Sequence, residues 1–152
     1  MLLSKDARLV SAITLLVIPT IMYGGWTLIG ILTQGTVAAN PDIHLNETQW
    51  ALWRAGHAHA GVWTILSLLL QIFLDSARLS VAGKWLARIC APLAAVFLSA
   101  GFFGVAVSAG FRWLIYLGVL SMFLALLLTA LGLIRDLRVA GPAARQLPDP
   151  LA

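Results

Sequence analysis

The sequence predicts an all-α integral membrane protein, a four-helix bundle with both termini on the cytoplasmic side. Three observations predict it. Of 152 residues, 61% are hydrophobic and only 11% are charged, against about 25% charged in soluble domains. A chain this apolar cannot cover itself with polar surface, so lipid is its solvent. The apolar residues fall in four runs, each near the roughly 20 residues that cross the hydrocarbon as a helix. A barrel strand would be about half that length, and within each run only a helix satisfies the backbone. Third, most basic residues flank one side of these runs. Lys5, Arg8, Arg78, Lys84, Arg88, Arg135, Arg138 and Arg145 share it, whereas only Arg112 flanks the other. The excess of cytoplasmic Lys and Arg then orients the bundle in a plasma membrane, here read as a bacterial inner membrane.

The spans are placed at about 9–33, 48–74, 84–108 and 112–135. Span one is too long for a cleavable signal and lacks a small-residue cleavage site. Pro19 and Pro92 are expected to kink spans one and three, because proline removes an intrahelical hydrogen bond. The segment 34–47, containing GTVAANPDIHLNE, reads as a polar loop that ends in a helix cap. Asn46 supplies the cap, with Gln49 three residues on. Trp50, Trp53 and Trp113 fall at the outer boundary and Trp85 at the inner one, as in an aromatic belt. Residues 1–136 form the transmembrane domain. The tail 137–152, Pro-rich through VAGPAARQLPDPLA, is expected to be a disordered cytoplasmic segment.

Several function classes drop out. The net charge of +4 comes from residues at helix ends, so it is no nucleic-acid footprint. A single cysteine, Cys90, allows no disulfide framework within the chain. It reads as a small buried apolar residue. No nucleophile–base pair and no acid pair is visible, so no enzymatic role is assigned.

One stretch breaks the apolar pattern. Residues 54–63 read RAGHAHAGVW, with Arg54, His57 and His59 among Gly and Ala on span two. His57 lies about nine residues, roughly 14 Å, below the outer end. Intramembrane ionisable groups are expensive and usually functional. At 100° per residue the two histidines project about 200° apart, so they cannot chelate one ion from a regular helix. They can serve two sites on opposite faces. Arg54 shares the face of His57 with Trp50, Trp53, Ala60 and Gly61. Ala55, Gly56 and Trp63 share the face of His59. Small residues beside a histidine admit a flat ligand or another backbone. The bland alternative is a helix-packing surface, with imidazoles bonding between helices and Arg54 reaching outward. His44 lies in the polar loop and reads as ordinary surface.

Imidazole binds heme iron, copper and zinc. The Gly and Ala flanks would admit a porphyrin face, and Arg54 stands where it could pair with propionates. The expectation is therefore b-type heme, held by His57 and His59 and walled by Trp50, Trp53, Gly61 and Trp63. One chain offers two buried histidines that point apart. A doubly ligated heme would need His57 of one copy and His59 of the next. Such head-to-tail contacts close into a ring, so the partner is the chain itself.

HAHAGVW resembles the His-x-His on the tenth helix of the heme–copper oxidase catalytic subunit. There, two histidines on opposite faces of one helix ligate two hemes. The resemblance implies one of three four-helix arcs, with ligands in the outer half of the second helix. A homotrimer of this chain would then rebuild a twelve-helix ring. His57 and His59 match as heme ligands; Arg54 resembles the propionate-pairing arginines in role alone. The sequence departs from that family in lacking an adjacent His-His pair and a His-plus-Tyr motif. Electron transfer, heme holding or small-gas sensing remain, with the redox partner unassigned.

Two rival readings stay open. Met22 and Met122 lie about ten residues from the outer ends of their helices, level with His57. Thioether and imidazole suit Cu(I), so a copper-binding carrier is the first rival. Either methionine could instead be an axial heme ligand or gap-filling in a packed core. The second rival is a cofactor-free accessory subunit of a larger membrane partner.

Overall fold

A computed structural model describes residues 3–33 and 45–140. Four helices follow in order: α1 (Lys5–Leu32), α2 (Glu47–Ser76), α3 (Val81–Val105) and α4 (Arg112–Ala140). All four are long and apolar enough to cross a membrane. The all-α class and the four spans stand as the sequence predicts. The boundaries move for reasons of capping. Ser80 accepts a hydrogen bond from the Gly83 amide and opens α3 earlier than expected. At the far end, Val107 and Ser108 amides both donate to the Gly104 carbonyl and close α3 at Val105. Helix α4 runs to Ala140, into the segment expected to be tail. The rest of that tail, and His44 with most of its loop, lie outside the described residues. Both α1 and α3 continue through their prolines as single helices.

The expected cap at Asn46 is a complete capping box. The Asn46 side chain accepts from the Gln49 amide at 2.9 Å, and Gln49 Oε1 accepts from the Asn46 amide at 3.0 Å. Gln49 also donates to the Ala106 carbonyl at 2.9 Å, which joins the start of α2 to the end of α3.

Short connections make α2, α3 and α4 antiparallel neighbours. They pack as a three-helix unit with α3 at its centre, while α1 lies along α2 and scarcely meets α3. Alanines let α3 approach: Ala91 and Ala94 form the core with Leu70, Met122 and Ala125. Close approach of α3 to α4 also needs two glycines. A Cβ on Gly101 would lie 2.8 Å from the Ile115 backbone nitrogen, and one on Gly118 would lie 2.8 Å from that of Leu98. Backbone cannot step aside as a side chain can. Gly118→Leu is therefore expected to destabilise the bundle by about 1–3 kcal/mol or more, read as a lower melting temperature in detergent.

Large apolar side chains are exposed along all four helices. On a soluble monomer such coverage would exceed the roughly 300–600 Å² of a typical largest apolar patch. Against lipid it is the required surface.

Candidate functional site

Helix α2 carries the candidate residues, and its neighbours decide what each one faces. His57 turns toward α1. Its ring rests on the Gly24–Gly25 pair: a Cβ on Gly25 would lie 3.0 Å from both His57 Cε1 and Nε2. Gly25 thus makes the room that the imidazole uses. The ring borders an open groove of about 440 Å³ beside Met22, Trp26, Ile29 and Leu32. That volume is in the range of small-molecule sites, about 300–1,000 Å³.

His59 turns toward α3. Its ring centroid lies 4.6 Å from that of Phe102 with the planes at 38°, and 6.3 Å from that of Trp63 at 35°. His59 Nδ1 is 2.7 Å from the Ala55 carbonyl oxygen. A carbonyl only accepts, so Nδ1 carries the proton and Nε2 keeps its lone pair free. Metal-ligating histidines commonly donate their second nitrogen in this way, which fixes tautomer and ring orientation.

The opposite projection read from helical period is thus realised, and the two rings occupy separate surroundings. The other site residues divide. Gly61 faces open space, with nothing within 4 Å of where its Cβ would be. Gly56 does the contrary: its Cβ position is 3.1 Å from the Phe103 ring and 3.2 Å from Phe102. It serves the α2–α3 contact. Trp53 meets Phe103 edge to face, with centroids 5.9 Å apart. The indole nitrogens of Trp53 and Trp63 are both buried without a hydrogen-bond partner. Trp50 is half-buried and Arg54 is exposed. The methionines at His57 depth separate fully. Met22 is 70% exposed and borders the His57 groove, whereas Met122 is 3% exposed inside the core. Met122 fills a packing gap. Cys90 is half-buried against the same core, much as expected. Among the described residues no group of three or more His, Cys, Asp or Glu is placed to hold a metal. A site made by one chain alone would rest on a single imidazole.

Comparison with family models, curated proteins and solved structures returns no match for this chain. The functional argument rests on its own geometry.

Sequence reasoning missed one polar constellation. Arg88, counted among the flanking basic residues, is 2% exposed. It is held inside the bundle because every neighbour answers its charge. Its guanidinium pairs with Asp75 and donates to Ser4 Oγ at 3.3 Å and to Gln71 Oε1 at 3.1 Å. Ser4 in turn donates its amide and hydroxyl to Asp75, each at 2.7 Å. The start of α1 is thereby fastened to the α2–α3 end of the bundle. From Asp75 a polar row continues along α2 through Gln71, Ser67 and Thr64, all buried. These residues and His57 lie within about 80° of arc on the helix, His57 being five turns, roughly 27 Å, from Asp75. The i, i+4 recurrence of polar residues within an apolar run is the signal that would have found it.

Proposed function

We propose that this chain is a ring-forming homotrimeric protein of the bacterial inner membrane, with both termini cytoplasmic. It holds b-type heme between protomers, with His57 of one copy and His59 of the next as ligands. The observation that carries this reading is the placement of two imidazoles on opposite walls of one membrane-spanning helix, each half-buried, with His59 fixed in the tautomer that leaves Nε2 free. Three further observations support it. The groove beside His57 has the volume for part of a large ligand. Gly61 offers a flat, open patch one turn along α2. Arg54 is exposed on the outward side, where a carboxylate could meet it.

Bound heme would supply one-electron exchange and an iron able to take a small gas. The chain's own residues do the rest. The Ala55 carbonyl orients the His59 ring. Gly25 seats the His57 ring. Trp26 and Leu32 keep water from that groove, and Arg54 balances negative charge. The task is electron transfer or small-gas redox chemistry.

The test is a visible spectrum of detergent-purified protein, expected to show a Soret band of low-spin b-type heme. A colourless protein after expression with ample heme supply would overturn the reading. Gly61→Leu sharpens it. The new side chain meets nothing within the chain, so melting temperature should hold while the heme band and the oligomer peak in size exclusion diminish.

One observation favours a second reading. Met22 and His57 share a groove, and their donors suit Cu(I). Elemental analysis of colourless protein would then find stoichiometric copper, lost in Met22→Leu.

A further inference from the structure

Helix α1 leaves a cleft against α3. Two adjoining cavities, of about 370 Å³ and about 220 Å³, share Val17, Thr64, Ala95 and Val96 and so form one continuous space. One end is bordered by Trp85 and the other by Ser99. Fourteen residues of α3 separate these two, about 21 Å along the helix. The walls are almost wholly aliphatic, and the cleft opens sideways between two membrane-spanning helices, toward lipid rather than water.

Ser99 identifies the kind of occupant. It is 9% exposed, borders the cleft, and its hydroxyl is buried with no hydrogen-bond partner. An unpaired hydroxyl in an apolar interior is unfavourable, and an acceptor placed against it relieves that penalty. Ser99 lies six residues, about 9 Å, inside the Val105 end of α3. A charged phospholipid headgroup is excluded from that depth by its desolvation. The polar part of the occupant must be uncharged, compact and hydrogen-bond accepting. It must also carry a long hydrocarbon tail to fill the space toward Trp85. Ala60 and Ala95 leave the room at the head end.

We propose that the α1–α3 cleft binds a lipid-soluble quinone, its ring carbonyl accepting from Ser99 Oγ and its tail lying along α3 toward Trp85. The inference uses neither His57 nor His59 and stands apart from the heme reading.

The full-length protein in detergent is titrated with a 1,4-benzoquinone bearing a ten-carbon chain, followed by tryptophan fluorescence. Saturable quenching is expected, and Trp85→Phe should remove its saturable part. Ser99→Ala should weaken binding about five- to tenfold, the size of one neutral hydrogen bond. Val96→Phe should abolish it. Val96 is 53% exposed and borders both cavities, so the larger ring can enter the cleft without repacking the core. Decylbenzene, which has the tail but no acceptor, should compete weakly. Quenching that never saturates, or affinity unchanged in both Ser99→Ala and Val96→Phe, overturns the proposal. Equal competition by decylbenzene or by phospholipid also overturns it, since the cleft would then hold only an acyl chain. His57→Ala and His59→Ala should bind quinone as the parent does, so failure of either proposal leaves the other distinguishable.

Discussion

Replacing His57 or His59 with alanine is expected to abolish the heme absorption of the purified protein while leaving its helices and melting temperature nearly unchanged. The two parts of that result have separate causes. Each imidazole is half-buried at a wall of the bundle, so truncation removes little packed surface. The band is lost because each heme needs one ligand from each side, and loss of either leaves iron with a single axial nitrogen. Absorbance at the Soret maximum per protein, with a circular-dichroism melt on the same sample, measures both. The internal control is Met122→Leu. Met122 lies at the same depth but is buried against Leu70, Ala91 and Ala94. A volume-conserving exchange there should change stability by less than about 1.5 kcal/mol and leave the spectrum intact. Bleaching by Met122→Leu but by neither histidine variant would contradict the account.

The largest expected loss of stability comes from Asp75. Its carboxylate and the Arg88 guanidinium form an ion pair that is almost sealed from solvent, with side chains 10% and 2% exposed. Asp75→Ala would strand a buried positive charge and is expected to destabilise the bundle by about 3–5 kcal/mol. It also removes the acceptor of the Ser4 amide and hydroxyl, so the start of α1 should loosen. Hydrogen exchange would show this as faster exchange of the first turns of α1. Replacing both partners, as Asp75→Leu with Arg88→Leu, should recover much of the loss, because no uncompensated charge remains. A melting temperature for Asp75→Ala equal to that of the parent would show the network to be incidental.

The parts of this architecture that were legible in the sequence are those that lipid enforces. Four apolar runs had to be helices, since the hydrocarbon offers no partner for a free amide or carbonyl. The Asn46 cap was legible because its partner Gln49 lies three residues away, within the reach of local chemistry. The opposite projection of His57 and His59 follows from helical period alone. What those rings face was not legible. In a soluble protein the apolar stripe of a helix marks its buried side. In lipid both sides are apolar, so Met22 and Met122 look alike in sequence although one is 70% exposed and the other 3%. Gly56 and Gly61 are equally alike as letters. One admits Phe102 and Phe103, and the other faces nothing within its own chain. The Arg88 network was hidden by a counting rule. Basic residues near helix ends are read as flanks, and only a tertiary partner such as Asp75 brings one inside.

The central claim is that each heme is shared, with one histidine from each of two neighbouring copies. Co-expression of His57→Ala chains with His59→Ala chains, each carrying a different affinity tag, tests it most directly. Either variant alone should be colourless. A three-membered ring that mixes the two has one junction where an intact His57 meets an intact His59. Tandem-purified mixed oligomers should therefore regain about a third of the parent heme band. Mixed oligomers that stay colourless while the parent protein is red would contradict sharing between copies.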